Sequence, residues 1–161
     1  MPGEQSGLTL VELLVGLAVM AVLLTVAVPS FQGLREQYTV RSAGMAVYAD
    51  LQLARSEAIK RNSEVTVCFT NSGSTSWSYT LHESGDCTGD IIEAVSSQNY
   101  PSMMLTASYS PSRLTFGPRR NSLSSGNIQL SNGNHMMKLI TSNVGRIRTC
   151  SADDLMGVPS C

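Results

Sequence analysis

The sequence predicts an α+β protein: a long N-terminal helix packed on an antiparallel β-rich head of two small sheets, with a disulfide-stapled C-terminal ribbon. Three observations carry this expectation. An apolar stretch runs from Gly7 to Pro29, the hydrophobic period drops to two at Glu64, and all four cysteines lie beyond the apolar stretch. With such an arm, a chain of 161 residues leaves about a hundred for the rest, enough for one globular domain.

The arm comes first. From Leu13 to Val28 the residues are Leu, Val, Ala, Met and Gly with one Thr, and at about 1.5 Å per residue such a helix nearly spans a bilayer core. Glu12 stands one turn into it. A carboxylate in lipid costs on the order of 3 kcal/mol or more, so Glu12 either lies solvated among the headgroups or has a partner.

After Pro29, residues 30–62 read as an amphipathic continuation of the helix. Leu34, Tyr38, Met45, Tyr48, Leu51, Ala54 and Ala58 recur every three or four residues, and Lys60-Arg61-Asn62 suits a helix C-terminus. A single helix is therefore expected from Leu8 to about Arg61, half of it on the head. Arg55, Lys60 and Arg61 read as a solvated, dipole-complementing face rather than a nucleic-acid patch, with Glu57 and Asp50 in reach of Arg55.

From residue 63 onward the chain reads as the head. Val65, Val67 and Phe69 alternate with Thr66, Cys68 and Thr70, and strands are expected near 64–70, 76–82, 91–95, 103–109, 113–117, 127–131, 135–141 and 144–149. Turns are expected at Asn71-Ser72-Gly73, Ser84-Gly85-Asp86, Ser125-Gly126-Asn127 and Asn132-Gly133-Asn134, where Gly and Asn tolerate positive φ. Trp77, Tyr79 and Leu81 are expected to share a buried face.

An even number of cysteines in a small domain favours disulfides in an oxidising compartment. Cys68, Cys87, Cys150 and Cys161 allow three pairings. The preferred one is Cys68–Cys87 with Cys150–Cys161, because each closes a short local loop containing Gly or Pro. Each bridge contributes roughly 3 kcal/mol on the loop-entropy account. No cysteine pair has the spacing of a zinc knuckle, and His82 and His135 stand apart. Asp153-Asp154 near Gly157 is weak support for calcium. No phosphate loop, nucleophile elbow or paired histidine ligands occur, so neither an enzyme nor a metal or other cofactor is expected.

The net charge of −1 hides a segregation. Between Asn62 and Ala94 stand five acids, Glu64, Glu83, Asp86, Asp90 and Glu93, and no Lys or Arg. From Val95 to Ala152 stand Arg113, Arg119, Arg120, Lys138, Arg146 and Arg148, and no acid. The informative run is Val144-Gly145-Arg146-Ile147-Arg148-Thr149-Cys150. If extended, it sets Arg146 and Arg148 on one face and Ile147 on the other. Guanidiniums about 7 Å apart match successive phosphates of a nucleic-acid strand. Gly145 permits close backbone approach. The bland reading is a pair of surface arginines that discourage edge pairing.

Gly7 followed by Leu8-Thr9-Leu10-Val11-Glu12 resembles the type III signal of type IV pilins and pseudopilins. The resemblance implies cleavage after Gly7 and N-methylation of Leu8 by a prepilin peptidase, with residues 1–7 as leader and residues 8–29 as the membrane and filament-core helix. It places Glu12 fifth after the cut, where the family pairs this carboxylate with a neighbouring subunit's N-terminal amine, and Pro29 at the usual helix-bending proline. Leu8 stands where Phe is usual, and the leader MPGEQSG has no Lys or Arg. With residues 63–161 as a β-rich head ending in Gly-Arg-x-Arg, nearly the whole chain resembles the GspH/FimT group of minor pilins and pseudopilins.

In the FimT branch that motif implies DNA binding for natural transformation, carried here onto Gly145, Arg146 and Arg148. Arg113, Arg119, Arg120 and Lys138 would be secondary phosphate contacts. No aromatic is interleaved with the two arginines, which favours duplex over single strands and little sequence preference. The competing expectation is a structural minor pilin or type II secretion pseudopilin that primes or tips a filament without binding nucleic acid. Arg35 and Arg41 after the apolar stretch would place the head in the cytoplasm by the positive-inside rule. The cysteines and the peptidase signal place it instead in the periplasm, on a single-pass inner-membrane protein that later joins other pilins at the cell surface.

The Glu12 assignment yields a first prediction. Glu12→Ala is expected to insert into the membrane normally and to be missing from sheared filaments, as read by immunoblot of membrane and filament fractions. Normal incorporation would remove the assembly role.

Overall fold

A computed structural model describes residues 9–119 and 123–161; Gly7, Leu8 and Arg120 lie outside them. The chain divides into two units, one ending at Arg35 and one from Glu36 to Cys161. Helix α1 spans Leu10–Arg61, with Pro29 inside it. Its start is capped by Thr9, whose Oγ1 accepts the Glu12 N–H at 3.3 Å, the spacing of a Thr-x-x-Glu capping pattern. Within the first unit the apolar side chains, among them Leu13, Leu17, Val22 and Val26, are exposed. This helix is long and apolar enough to cross a membrane.

The C-terminal end of α1 is a Schellman closure. Ser63 N–H donates to Ala58 O at 3.2 Å and Asn62 N–H to Ile59 O at 3.3 Å, with Asn62 at φ 49° in the position glycine usually takes. Glu57 accepts from Lys60 at 2.8 Å and from Arg61 at 3.0 Å, and Arg61 also pairs with Glu83.

The buried face of α1 keeps Leu51, Ala54 and Ala58 of the expected stripe and differs before them. It consists of Val40, Ala43, Gly44, Val47, Leu51, Ala54 and Ala58, whereas Leu34, Tyr38 and Met45 are exposed. The reason is clearance: a Cβ on Gly44 would stand 2.3 Å from Met137 Sδ. Small residues at Ala43 and Gly44 let the sheet's long side chains reach the helix surface, and Tyr38 and Met45 are turned outward.

Among the described residues eight strands follow: β1 (Val65–Thr70), β2 (Ser78–His82), β3 (Ile91–Ser96), β4 (Met104–Ala107), β5 (Arg113–Phe116), β6 (Gly126–Ser131), β7 (Met136–Thr141) and β8 (Ile147–Cys150). They form two antiparallel sheets, β3-β2-β1-β5 and β4-β6-β7-β8. Gly126 opens β6 instead of sitting in the expected turn, and it is a glycine there because the Tyr109 ring occupies the space a Cβ would need, with Cε1 at 2.5 Å. The last strand starts at Ile147 rather than 144, since residues 142–146 form the turn that precedes it.

The sheets meet over one core containing Trp77, Tyr79, Leu81, Leu105, Leu114, Ile128, Leu130, Met137 and Leu139, each at most 2% exposed. Trp77 Nε1–H donates to Met103 O at 2.8 Å, and the turn after β1 clasps β4 through Gly73 N–H to Leu105 O at 2.8 Å. The outer face of β1 is covered as well: Thr66 Oγ1 donates to Ser84 O at 2.7 Å, and Cys68 is bonded to Cys87. Cys150 is bonded to Cys161. His82 lies in the same loop system, with its ring nitrogens 2.8 Å from Thr80 Oγ1 and 2.7 Å from Gly89 O.

A part-buried polar bond links α1 to the first sheet. Tyr79 Oη–H donates to Asp50 Oδ2 at 2.6 Å. Burial raises the Asp50 pKa above its ordinary value, the Tyr79 bond opposes this, and nearby Glu93 adds to the rise. The fold therefore holds the Asp50 proton more tightly than the unfolded chain does. Its contribution to stability is full below the unfolded pKa of about 3.9 and is lost as pH rises through the raised folded value. Asp50→Asn keeps an acceptor for Tyr79, so it is expected to flatten that decline. Denaturant titrations at about pH 4 and about pH 7 check this; an unchanged pH dependence would assign the decline elsewhere.

Candidate nucleic-acid interface

The Gly145-Arg146-Ile147-Arg148 run sits where β7 returns into β8. Gly145 N–H donates to Ser142 O at 2.9 Å, and Ser142 N–H donates to Arg146 O at 3.0 Å. The ribbon is thus tied as far as Arg146, one residue beyond the strand. Ile147 is 8% exposed while Arg146 and Arg148 are both exposed, so the expected alternation holds across the run.

Gly145 has φ 80°, and the nearest atom to a Cβ there would be Arg55 Nη2 at 3.7 Å, an ordinary contact. Glycine is needed for its backbone angle, not for clearance. The carbonyl of Gly145 accepts a hydrogen bond from Arg55 Nη1 at 2.8 Å. Arg55 therefore does not pair with Glu57 or Asp50: Glu57 holds Lys60 and Arg61, and Asp50 holds Tyr79. A half-buried guanidinium on α1 fixes the turn that carries Arg146 and Arg148.

The register places the remaining basic residues. Arg148 stands opposite Ile140, and Lys138 lies two residues along β7 opposite Cys150, so Lys138 and Arg148 share a face as diagonal neighbours about 7–8 Å apart. The strands of this sheet contain no carboxylate. Asp153 lies at its far end, where Oδ2 accepts the Met136 N–H at 2.8 Å. Arg113 is on β5 in the other sheet, opposite Cys68. It is a minor cause of the lowered Asp86 pKa, which results first from the Thr88 side-chain hydrogen bond, then the Thr88 backbone N–H and Ser84. Arg119 follows β5 and is exposed.

A groove of about 380 Å³ opens between α1 and β8, lined by Met45, Tyr48, Arg146, Ile147, Arg148, Thr149 and Pro159. The sequence reading missed Tyr48 and Arg55 as neighbours of the motif because both come from about ninety residues away. One signal was available: Arg41, Met45, Tyr48 and Arg55 follow one helical stripe. Arg41 belongs to the same flank, its guanidinium 3.0 Å from where a Cβ on Gly157 would be.

A head of two antiparallel sheets on the C-terminal part of a 52-residue helix, with an apolar N-terminal part, defines a pilin-type subunit. Residues 4–28 match the prokaryotic N-terminal methylation motif. Residues 43–145, more than half of the chain, match the family of the type II transport protein GspH, and the chain belongs to that family. It is a GspH-type pilin-like subunit with an N-terminal methylation motif.

Two crystal structures of the type IV minor pilin FimU from Pseudomonas aeruginosa (strain PAO1) share the fold. In space group P65 the TM-score is 0.53 at 18% identity, covering 68% of this chain and 90% of that one. In space group P21 it is 0.57 at 19% identity, covering 70% and 89%. No curated protein sequence matches significantly. The family match ends at Gly145, so Arg146 and Arg148 lie just beyond it.

The anchored turn generates a prediction. Gly145→Ala is expected to cost about 1 kcal/mol, because a left-handed angle strains any side chain. Arg55→Met leaves the Gly145 carbonyl without its donor. Both variants should speed hydrogen exchange at the Ser142 and Gly145 amides while leaving β1 and β2 protected. Unchanged exchange at those amides would show that Arg55 does not hold the turn.

Proposed function

We propose that this chain is a DNA-binding minor pilin. Gly145, Arg146 and Arg148, with Lys138 beside them, contact the phosphates of extracellular duplex DNA during uptake for natural transformation. The observation that carries this is an exposed arginine pair on one face of an anchored ribbon, in a sheet whose strands have no carboxylate. Arg113, Arg119 and Arg120 remain outer contacts of the same kind, with Arg113 the weakest because it neighbours Asp86. Phosphate contact carries no sequence information, so binding is expected to be non-specific.

In the same reading, prepilin peptidase cuts after Gly7 and methylates Leu8. The segment 8–29 holds the protein in the inner membrane before assembly, residues 30–62 continue the helix, and residues 63–161 form the head in the periplasm and later on the pilus. Glu12 mediates contact with other pilins. A second reading, a structural subunit of a pilus or type II secretion filament, is favoured by one observation: β8 is an edge strand, where arginines discourage pairing with another chain.

Salt dependence separates the two. Each neutralised phosphate adds about −0.9 to the log–log slope of affinity against salt, so wild type should show a slope of roughly −2 to −4. Arg146→Gln with Arg148→Gln should flatten it by about two units and abolish transformation while far-UV circular dichroism is unchanged. Arg35, in the other unit, is the control; Arg41 is unsuitable because it touches the Gly157 loop. Wild-type slope and uptake in the double variant would leave the structural reading.

A further inference from the structure

The groove beside the arginines has a chemistry that contact with duplex phosphates does not use. Its apolar lining is Met45 and Tyr48, three residues apart on α1, with Ile147 and Pro159. Its cationic lining is Arg146 and Arg148. Met45 is 45% exposed, although apolar residues of this head are otherwise mostly withdrawn into the core. The sequence places no aromatic within the motif; the fold supplies one from the helix.

The occupant that fits such a site is a flat, weakly polar ring joined by a short link to an anion. In a duplex the base faces are stacked on one another and only their edges reach a protein, so a duplex would meet the arginines and leave the apolar lining unused. An unpaired nucleotide presents both parts at once. Aromatic side chains beside a cationic track are the recurring device for holding single strands, and the volume of about 380 Å³ lies within the range of small-ligand pockets, roughly 300–1,000 Å³.

We propose that the groove between α1 and β8 is a nucleobase subsite that takes an unpaired base of a DNA single strand or frayed end. The base packs on Tyr48 and Met45, and its flanking phosphates lie on Arg146 and Arg148. The proposal rests on the DNA-binding reading above and extends it from duplex backbone to strand ends. Tyr48 contributes the ring face, so phenylalanine can replace it and aliphatic residues cannot.

The test uses the full chain in nonionic detergent and fluorescence anisotropy at one fixed salt concentration. Three labelled probes are compared: a single-stranded oligothymidine, a blunt duplex, and the same duplex with a single-stranded overhang. Wild type should bind the overhang duplex more tightly than the blunt one. Tyr48→Leu, which keeps an apolar side chain on the helix, should weaken oligothymidine and overhang binding about tenfold, within the range of base–aromatic stacking, and change blunt-duplex binding less than about twofold. Tyr48→Phe should behave as wild type, and Tyr38→Leu, an exposed tyrosine of α1 outside the groove, should have no effect.

Equal losses on all three probes, or no loss on any, would overturn the subsite. Failure of wild type to bind oligothymidine would do the same. If the Arg146→Gln, Arg148→Gln variant binds blunt duplex like wild type, the phosphate reading itself fails, whatever Tyr48 does.

Discussion

The close approach of α1 to the second sheet is the constraint on which the head depends. At Gly44 there is no room for a methyl group before Met137 is met, and Ala43, Ala54 and Ala58 continue the same thin face. These residues bury little apolar area themselves. Their effect is to admit Met137, Leu139, Ile128 and Leu130 from the sheet, where each buried CH₂ contributes about 0.8 kcal/mol. The nearness also sets what the helix flanks can touch. Arg55 reaches the Gly145 carbonyl and Arg41 reaches the Gly157 loop, so one flank of α1 borders β8 and the C-terminal ribbon along its length.

The charge segregation acquires a structural meaning from the sheet order. Two acids of the loop closed by the first disulfide are engaged internally, Glu83 with Arg61 and Asp86 with Ser84 and Thr88, and half-buried Asp50 on the helix bonds Tyr79. On the second sheet Arg146 and Arg148 are exposed, and among the described residues neither has an ion-pair partner. Carboxylates committed to local bonds stabilise the loops that carry them. Guanidiniums facing water, on strands with no carboxylate, leave their field directed outward.

The architecture was legible because it is written in local periods. The change from helical spacing to alternation at Glu64, the turn residues at Asn71 to Gly73 and Asn132 to Asn134, and the paired cysteines are all short-range signals. The helix face was read correctly at Leu51, Ala54 and Ala58 and missed at Ala43 and Gly44 for a physical reason: the eye follows Leu, Tyr and Met, but where a helix lies close to a sheet it buries small residues. The candidate site was half legible. Gly145, Arg146 and Arg148 are contiguous and declare themselves, while Arg55, Met45 and Tyr48 join them only after β7 and β8 are folded against α1. Lys138 could be placed beside Arg148 only once the register set Ile140 opposite that arginine.

Edge protection and ligand binding make different demands on the same two arginines. A guard against strand pairing needs only charge near an open edge, and it works equally well from a loosely held loop. Here the turn before β8 is closed by two backbone bonds, fitted with a glycine at φ 80°, and tied to the helix by a half-buried arginine. An edge guard gains nothing from that anchoring. A polyanion does gain from it, because preorganised cations need not be gathered when it arrives. The groove adds to the contrast, since partly exposed Met45 and Tyr48 beside an edge invite contact rather than deter it. An anchored backbone beneath two exposed arginines, next to a partly apolar groove, favours the proposed binding role over edge protection alone.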